Sequence, residues 1–146
     1  MVAMGSQRVT NDFDFLVARP VPSSKKLIEI MYKNKLELVT KFNPQKEVIR
    51  TVDNPRIATM KIDEERPDSA TFFDWDTKLR VDLLLDFPLP ANIIAGRAIK
   101  VSFRSHIMRI ATPKDLLKLK EIAFKDRKSA NDAQDLEFLR RMVGGK

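Results

Sequence analysis

Three aspartates have types and spacings that suit metal-assisted chemistry. Asp12 and Asp14 lie two residues apart in the run DFDFLVA, and Asp82 interrupts the apolar run LRVDLLL. Because strand side chains alternate, Asp12 and Asp14 would project from one face, where two carboxylates repel unless they share a cation, while Phe13 and Phe15 would point into a core. Asp82 would be partly buried and needs a partner. Three carboxylates on two adjacent strands would suit two Mg²⁺ or Mn²⁺ ions and phosphoryl or nucleotidyl transfer.

The composition narrows the chemistry that these acids could serve. The chain has no cysteine, a single histidine, His106, and no Gly-x-Ser-x-Gly nucleophile elbow. Disulfide scaffolds, thiolate zinc sites and cysteine nucleophiles are therefore excluded, and a histidine-rich metal site cannot form. A metal would have to bind carboxylate oxygens, which suit Mg²⁺, Mn²⁺ or Ca²⁺. An aspartate pair on a strand also occurs on solvated edges, and that plainer interpretation stays open.

The chain is basic, with 27 Lys and Arg against 20 Asp and Glu and a net charge of +7. The positive charge is unevenly distributed, because the segment 88–112 contains four cations and no acid. These cations are Arg97, Lys100, Arg104 and Arg109. Such a surface suits a polyanionic partner, either a nucleic acid or a nucleoside triphosphate. Solubility alone is the competing explanation.

Length and hydropathy predict one globular domain. The 146 residues are 43% hydrophobic, and no apolar run approaches the roughly 18 residues that a membrane span needs. The first residues lack the basic and apolar regions of a signal peptide. We therefore expect a cytoplasmic domain over 1–146 without membrane association. It would consist of a mixed sheet core over 1–111 and a helical pair over 112–146.

Alternation and chain breakers predict the elements that must position these residues. Strands are expected over 12–18, 36–42, 47–52, 57–62, 71–75, 79–85, 98–104 and 106–110. Helices are expected over 25–33, 91–95, 112–124 and 129–142. Ser23 or Ser24 would cap the first of these helices, and Thr112 with Asp115 would form a capping box at the third.

The motifs around these acids resemble those of a known superfamily. The run GSQRVTNDFDFLV at 5–17 resembles the nucleotidyltransferase segment Gly-x-x-Arg-x-Thr-x-Asp-hydrophobic-Asp. The run RVDLL around Asp82 is similar to the third acidic strand of that superfamily. The segment 110–120 is similar to its Pro-x-Asp-Leu helix, and 131–136 to the stretch that follows. The similarity covers nearly the whole chain in the expected order. It is closest to the abortive-infection toxin branch, which belongs to type IV toxin–antitoxin systems, or to an uncharacterised relative of that branch.

The resemblance implies a fold, an activity and a set of site residues. The fold would be of the α/β (α+β) class, a nucleotidyltransferase-like mixed β-sheet flanked by helices, with a C-terminal helical pair. The enzyme would transfer a nucleoside monophosphate from an NTP to a hydroxyl of RNA or protein, using Mg²⁺ or Mn²⁺, in a bacterial toxin–antitoxin or phage-defence system with a cognate antitoxin. The implied metal ligands and catalytic residues are Asp12, Asp14 and Asp82. The implied nucleotide-binding residues are Gly5, Ser6, Arg8, Thr10 and Lys120.

Lys120 also has an interpretation that does not depend on the resemblance. Leu116, Leu119 and Ala123 define the apolar face of its helix, and Lys120 lies about 40° from Leu116 on a helical wheel. A lysine on that side either extends to water at the edge of the helix or meets an anion. The helical pattern leaves both alternatives open.

One departure from the superfamily motivates an alternative function. Nucleotidyltransferases carry a Gly-Gly or Gly-Ser phosphate turn about ten residues before the aspartate pair, preceded by a helix. Here only five residues separate Gly5-Ser6 from Asp12. The alternative is a catalytically inactive, N-terminally truncated protein of this fold that acts as a nucleic-acid- or partner-binding module. A small basic domain of unrelated fold is the third possibility.

Overall fold

A computed structural model of the chain describes residues 11–21, 23–127 and 130–145. These residues form a mixed α+β structure with five helices and seven strands, which confirms the predicted fold class at this level. The chain divides into two compact units, one containing the described residues up to Phe87 and the other those from Pro88 onward. Whether 1–146 behaves as one domain stays a prediction.

The first unit contains a five-stranded mixed sheet and two helices. Its elements are β1 (Asp12–Val17), α1 (Ser24–Lys33), β2 (Glu37–Phe42), β3 (Val48–Val52), α2 (Pro55–Glu65), β4 (Ser69–Phe73) and β5 (Arg80–Leu85). The strand order is β1, β5, β4, β2, β3. β1 runs parallel to β5, and the other neighbours are antiparallel. The strands predicted over 12–18, 36–42, 47–52, 71–75 and 79–85 are confirmed with small shifts at their ends.

The second unit contains a two-stranded ribbon and three helices. Its elements are α3 (Ala91–Gly96), β6 (Ile99–Phe103), β7 (His106–Ile110), α4 (Pro113–Arg127) and α5 (Ala130–Gly144). The ribbon strands β6 and β7 are antiparallel, and α4 and α5 form the predicted helical pair. Within the described part of the chain, no helix combines the length and hydrophobicity needed to cross a bilayer.

Two predicted helix starts are confirmed by their capping hydrogen bonds. The Ser23 hydroxyl accepts a hydrogen bond of 3.2 Å from the Lys26 amide at the start of α1. At α4 the Thr112 hydroxyl accepts from the Asp115 amide at 3.2 Å and donates to the Asp115 carboxylate at 2.8 Å. These side chains satisfy backbone donors that have no partner within the helix.

The strand predicted over 57–62 is wrong, because this segment lies inside α2. Asn54 and Pro55 suggested the end of a strand, but they begin a helix instead. The Asn54 side chain accepts a hydrogen bond from the Arg56 amide at 2.9 Å, and Pro55 occupies the first turn, where its missing amide costs nothing. Ala58 and Ile62, four residues apart, form the buried stripe of the helix.

The core of the first unit lies between one face of the sheet and the two helices. Ile28 of α1 and Ala58 of α2 are completely buried, as is Phe72 at the centre of the sheet. Phe13 and Phe15 lie on the core face of the sheet as predicted, because they pair with the buried Val81 and Leu83, but their expected burial is wrong, since they are 55% and 50% exposed. Both belong to β1, which lies at the edge of the sheet beyond β5, whereas the core is centred on the inner strands.

Candidate acidic site on the sheet

Asp14 and Asp82 are direct partners in the parallel pairing of β1 with β5. On the other side of β5, Asp82 is the register partner of Thr71 in β4. One row further along the strands, Asp12 is paired with Arg80. Because residues paired across a sheet, and residues two apart on one strand, project from the same face, the three acids share one face. The expectation that these acids lie on two neighbouring strands is therefore met, and the convergence of their carboxylates on a metal stays a prediction.

The spacing of a sheet sets how closely these acids can approach. Neighbouring strands lie about 4.8 Å apart, and residues two apart on a strand are separated by roughly 6.7 Å. Asp12 and Asp14 are exposed, whereas the Asp82 side chain is only 17% exposed. Asp82 is thus the least exposed of the three carboxylates. Carboxylates this close to one another repel unless a cation lies near them. We name these residues, Asp12, Asp14 and Asp82, the acidic patch.

Asp82 has the partners that its partly buried position requires. The Thr71 hydroxyl donates to Asp82 Oδ1 at 2.5 Å, and Arg80 Nε lies 3.0 Å from Oδ2 and 3.2 Å from Oδ1. The Arg80 guanidinium also lies over the ring of Phe42, 5.3 Å from its centroid. A cation bound through Asp82 would have to displace Arg80 from these oxygens. Arg80 was not among the predicted site residues, although its position two residues before Asp82 on a strand indicates that the two side chains share a face.

A cleft opens where β2 and β4 diverge, beyond the paired Leu38 and Phe72. Its volume is ≈ 240 Å³, and its walls come from β2, α2 and β4. Thr71, which donates to Asp82, lines one wall, and Lys61 of α2 lines another. Lys61 forms an ion pair of 3.0 Å with Glu65. The cleft therefore offers a polar volume next to the residue that orients Asp82.

The chemistry of the donor set suits a hard divalent cation. Carboxylate oxygens are the ligands that Mg²⁺ and Mn²⁺ prefer, and two of the three acids lie side by side on adjacent strands. Over residues 11–21, 23–127 and 130–145, no three acidic, imidazole or thiol groups are found already gathered in the geometry of a metal site. The metal therefore stays a prediction.

Lys120 meets an anion within its own unit. Its Nζ lies 2.9 Å from Oδ2 of Asp135, so the ion pair joins α4 to α5. The Lys120 side chain is 24% exposed and that of Asp135 only 4%. Of the two alternatives in the helical pattern, contact with an anion is the one observed, and the anion is a carboxylate of the protein. The nucleotide-binding role of Lys120 stays a prediction.

A second buried acid, Asp115, was expected only as a helix cap. Its carboxylate also accepts hydrogen bonds from Arg97 Nε at 2.8 Å and 3.1 Å and from Arg97 Nη2, and the residue is 3% exposed. The Arg97 guanidinium, helped by the Thr112 hydroxyl, holds the pKa of Asp115 below its ordinary value. The pairing connects the segment after α3 to the start of α4, and nothing in the local sequence pattern indicated it.

We expect the Asp115 pairing to make the stability of the protein fall in acid. A pKa lower in the folded than in the unfolded chain stabilises the fold at neutral pH, and this contribution is lost as the pH falls below about 4. Asp115→Asn should cost about 2 kcal/mol near pH 7, with the difference from wild type shrinking by pH 3. Urea unfolding at both pH values measures this. Asp63→Asn, an exposed acid on α2, should stay within about 0.5 kcal/mol throughout. A difference for Asp115→Asn that is independent of pH would contradict the assignment.

The remaining predicted site residues, Gly5, Ser6, Arg8 and Thr10, lie outside the described residues. Their proposed contacts with nucleotide stay predictions.

The chain matches no known protein-family model, and a search of curated proteins finds no significant match. The resemblance to nucleotidyltransferases rests on the motifs at 5–17, around Asp82, at 110–120 and at 131–136.

Proposed function

We propose that this chain is a metal-dependent enzyme of the nucleotidyltransferase-like fold. It transfers a nucleoside monophosphate from an NTP to a hydroxyl group of RNA or protein. The observation that supports this most is the register pairing of Asp14 with Asp82, with Asp12 on the same face of the sheet. A mixed sheet with acids on two adjacent strands is what the motifs imply.

The acidic patch holds Mg²⁺ or Mn²⁺ in this proposal. When bound, such an ion neutralises phosphate charge and lowers the pKa of an attacking hydroxyl. That hydroxyl gives its proton to solvent water, its oxygen forms a bond to the α-phosphorus of the NTP, and pyrophosphate leaves with the electrons of the broken phosphorus–oxygen bond. Thr71 keeps Asp82 oriented through its hydrogen bond to Oδ1. Arg80, once displaced from Asp82, is placed to contact a phosphate oxygen.

The nucleotide-binding residues of this proposal are those of the resemblance. They are Gly5, Ser6, Arg8, Thr10 and Lys120. For Lys120, contact with a phosphate requires that its ion pair with Asp135 opens or is shared. The proposed setting is the bacterial cytoplasm, in a toxin–antitoxin or phage-defence system with a cognate antitoxin as partner.

Isothermal titration with ATP, GTP, CTP and UTP in MgCl₂ tests the proposal. We expect at least one nucleotide to bind with a Kd of roughly 1 µM to 1 mM, the usual range for enzyme substrates. Replacing MgCl₂ with EDTA should weaken that binding about tenfold or more, since the triphosphate and the acids would then repel. Absence of binding by all four nucleotides, with a folded protein, would contradict the proposal.

A further inference from the structure

The β6–β7 ribbon of the second unit exposes cations on one face. Lys100 and Arg109 are direct cross-strand partners, and both are exposed. Ser102 and Ile107 form the next pair on the same face. At the tip of the ribbon Arg104 has a φ of 54°, so the two-residue turn places this third cation at the end of the hairpin.

The pairing of Lys100 with Arg109 is unfavourable without an external anion. Like charges directly opposite each other on a ribbon destabilise it. Across the described residues, no carboxylate forms an ion pair with Lys100, Arg104 or Arg109. The sequence from 87 to 114 contains no acid at all. The charge of this face is therefore complementary to a row of anions supplied by another molecule.

Two exposed apolar side chains of the ribbon accompany these cations, one on the cationic face and one beside the turn. Ile107, on the same face as Lys100 and Arg109, is 71% exposed. Phe103, the last residue of β6, lies on the opposite face of the ribbon beside the turn, is 56% exposed and has the Arg104 guanidinium 5.6 Å from its ring centroid. A duplex buries the faces of its bases in the stack, whereas a single strand presents phosphates together with the apolar faces of unpaired bases. This mixture favours a single strand.

We propose that the β6–β7 ribbon binds a single-stranded nucleic acid. Lys100 and Arg109 contact neighbouring phosphates, and Ile107 contacts a base on the same face. Phe103 and Arg104 contact a base where the strand passes the tip of the hairpin. The inference goes beyond the proposed enzymatic function and does not depend on it, since none of these residues belongs to the acidic patch.

Fluorescence anisotropy with a labelled 12-nucleotide RNA of mixed sequence tests this surface. We expect Lys100→Glu with Arg109→Glu to raise the Kd at least about tenfold at 50 mM KCl. The neutral pair Lys100→Gln with Arg109→Gln should lower the slope of log K against log salt by about 1.4, since about 0.7 is lost per phosphate contact on a single strand. This Gln pair removes the cross-strand repulsion, so its thermal melting should be no lower than that of wild type.

The matched control reverses two exposed lysines on α4, through Lys118→Glu with Lys125→Glu, and changes the net charge by the same amount. It should alter the RNA Kd less than threefold. An equal loss of affinity in the ribbon and α4 variants would overturn the proposal, because net charge alone would then explain binding. Unchanged binding by both ribbon variants, or equal affinity for a duplex of the same length, would also overturn it.

Discussion

Asp14→Asn and Asp82→Asn are each expected to reduce nucleotidyl transfer by roughly 10²- to 10³-fold, the usual cost of removing one preorganised charge from a catalytic site. Asparagine keeps the size of the side chain but removes the negative charge on which a divalent cation depends. The two residues are partners on adjacent strands, so either change alone should suffice. Transfer of radiolabelled nucleoside monophosphate from each NTP to total RNA or protein measures the effect.

The matched control for these variants is Asp63→Asn, which changes an exposed acid on α2. It should retain activity within about twofold, since it lies outside the acidic patch. Circular dichroism should show that all three variants are folded, because the Thr71 hydroxyl can still donate to the oxygen of Asn at position 82. Full transfer activity in both Asp14→Asn and Asp82→Asn would refute the assigned role of the acidic patch.

Lys120→Met is expected to lower the free energy of unfolding by about 3 kcal/mol. The change removes the ammonium group that pairs with Asp135, whose side chain is only 4% exposed, and removing one partner of a buried ion pair is costly. Urea denaturation followed by circular dichroism measures the loss. Lys118→Met, on the exposed face of the same helix, is the matched control and should change stability by less than about 0.5 kcal/mol.

The double variant Lys120→Met with Asp135→Leu separates the structural and nucleotide-binding roles of Lys120. Replacing both partners by apolar side chains should recover most of the lost stability, as for other buried ion pairs. If this stable variant binds NTP as well as wild type, Lys120 serves the helical pair alone. A loss of NTP affinity in the folded double variant would assign it a phosphate contact as well. A Lys120→Met variant as stable as wild type would contradict the structural role.

Local sequence patterns predicted most of the elements but not their pairing. The alternation of apolar and polar residues was sufficient to predict the strands β1 and β5. The capping residues Ser23 and Thr112 marked the starts of two helices. The parallel register of Asp14 with Asp82 depends on contacts between segments far apart in sequence, so no local rule could supply it. The helix α2 was missed because an Asn-Pro pair marks a turn after a strand as well as the start of a helix, which is where Asn54 and Pro55 lie.

For the candidate site, too, the sequence indicated the residues but not the contacts between segments far apart in the chain. Asp12, Asp14 and Asp82 could be identified from the sequence as candidate site residues, because a charged side chain on an otherwise apolar strand is costly to bury unless it has a partner. The contact of Arg80 with Asp82 could have been inferred from their spacing on a strand, but the Phe42 ring beneath Arg80 comes from another strand. The pairing of Lys120 with Asp135 could not be predicted for a similar reason, since a helical wheel gives the direction of a side chain and not the residue that it contacts.

Two of the three carboxylates of the acidic patch belong to β1, which in the described part of the chain is bound to the sheet on one side only, through β5. Edge strands of this kind open more readily than central strands, because half of their backbone groups contribute nothing to the ladder. Asp14 and Asp82 thus stay next to each other only as long as the edge strand β1 remains paired with β5. A ligand that binds both carboxylates would hold β1 against β5 and would therefore stabilise this edge of the sheet against local unfolding.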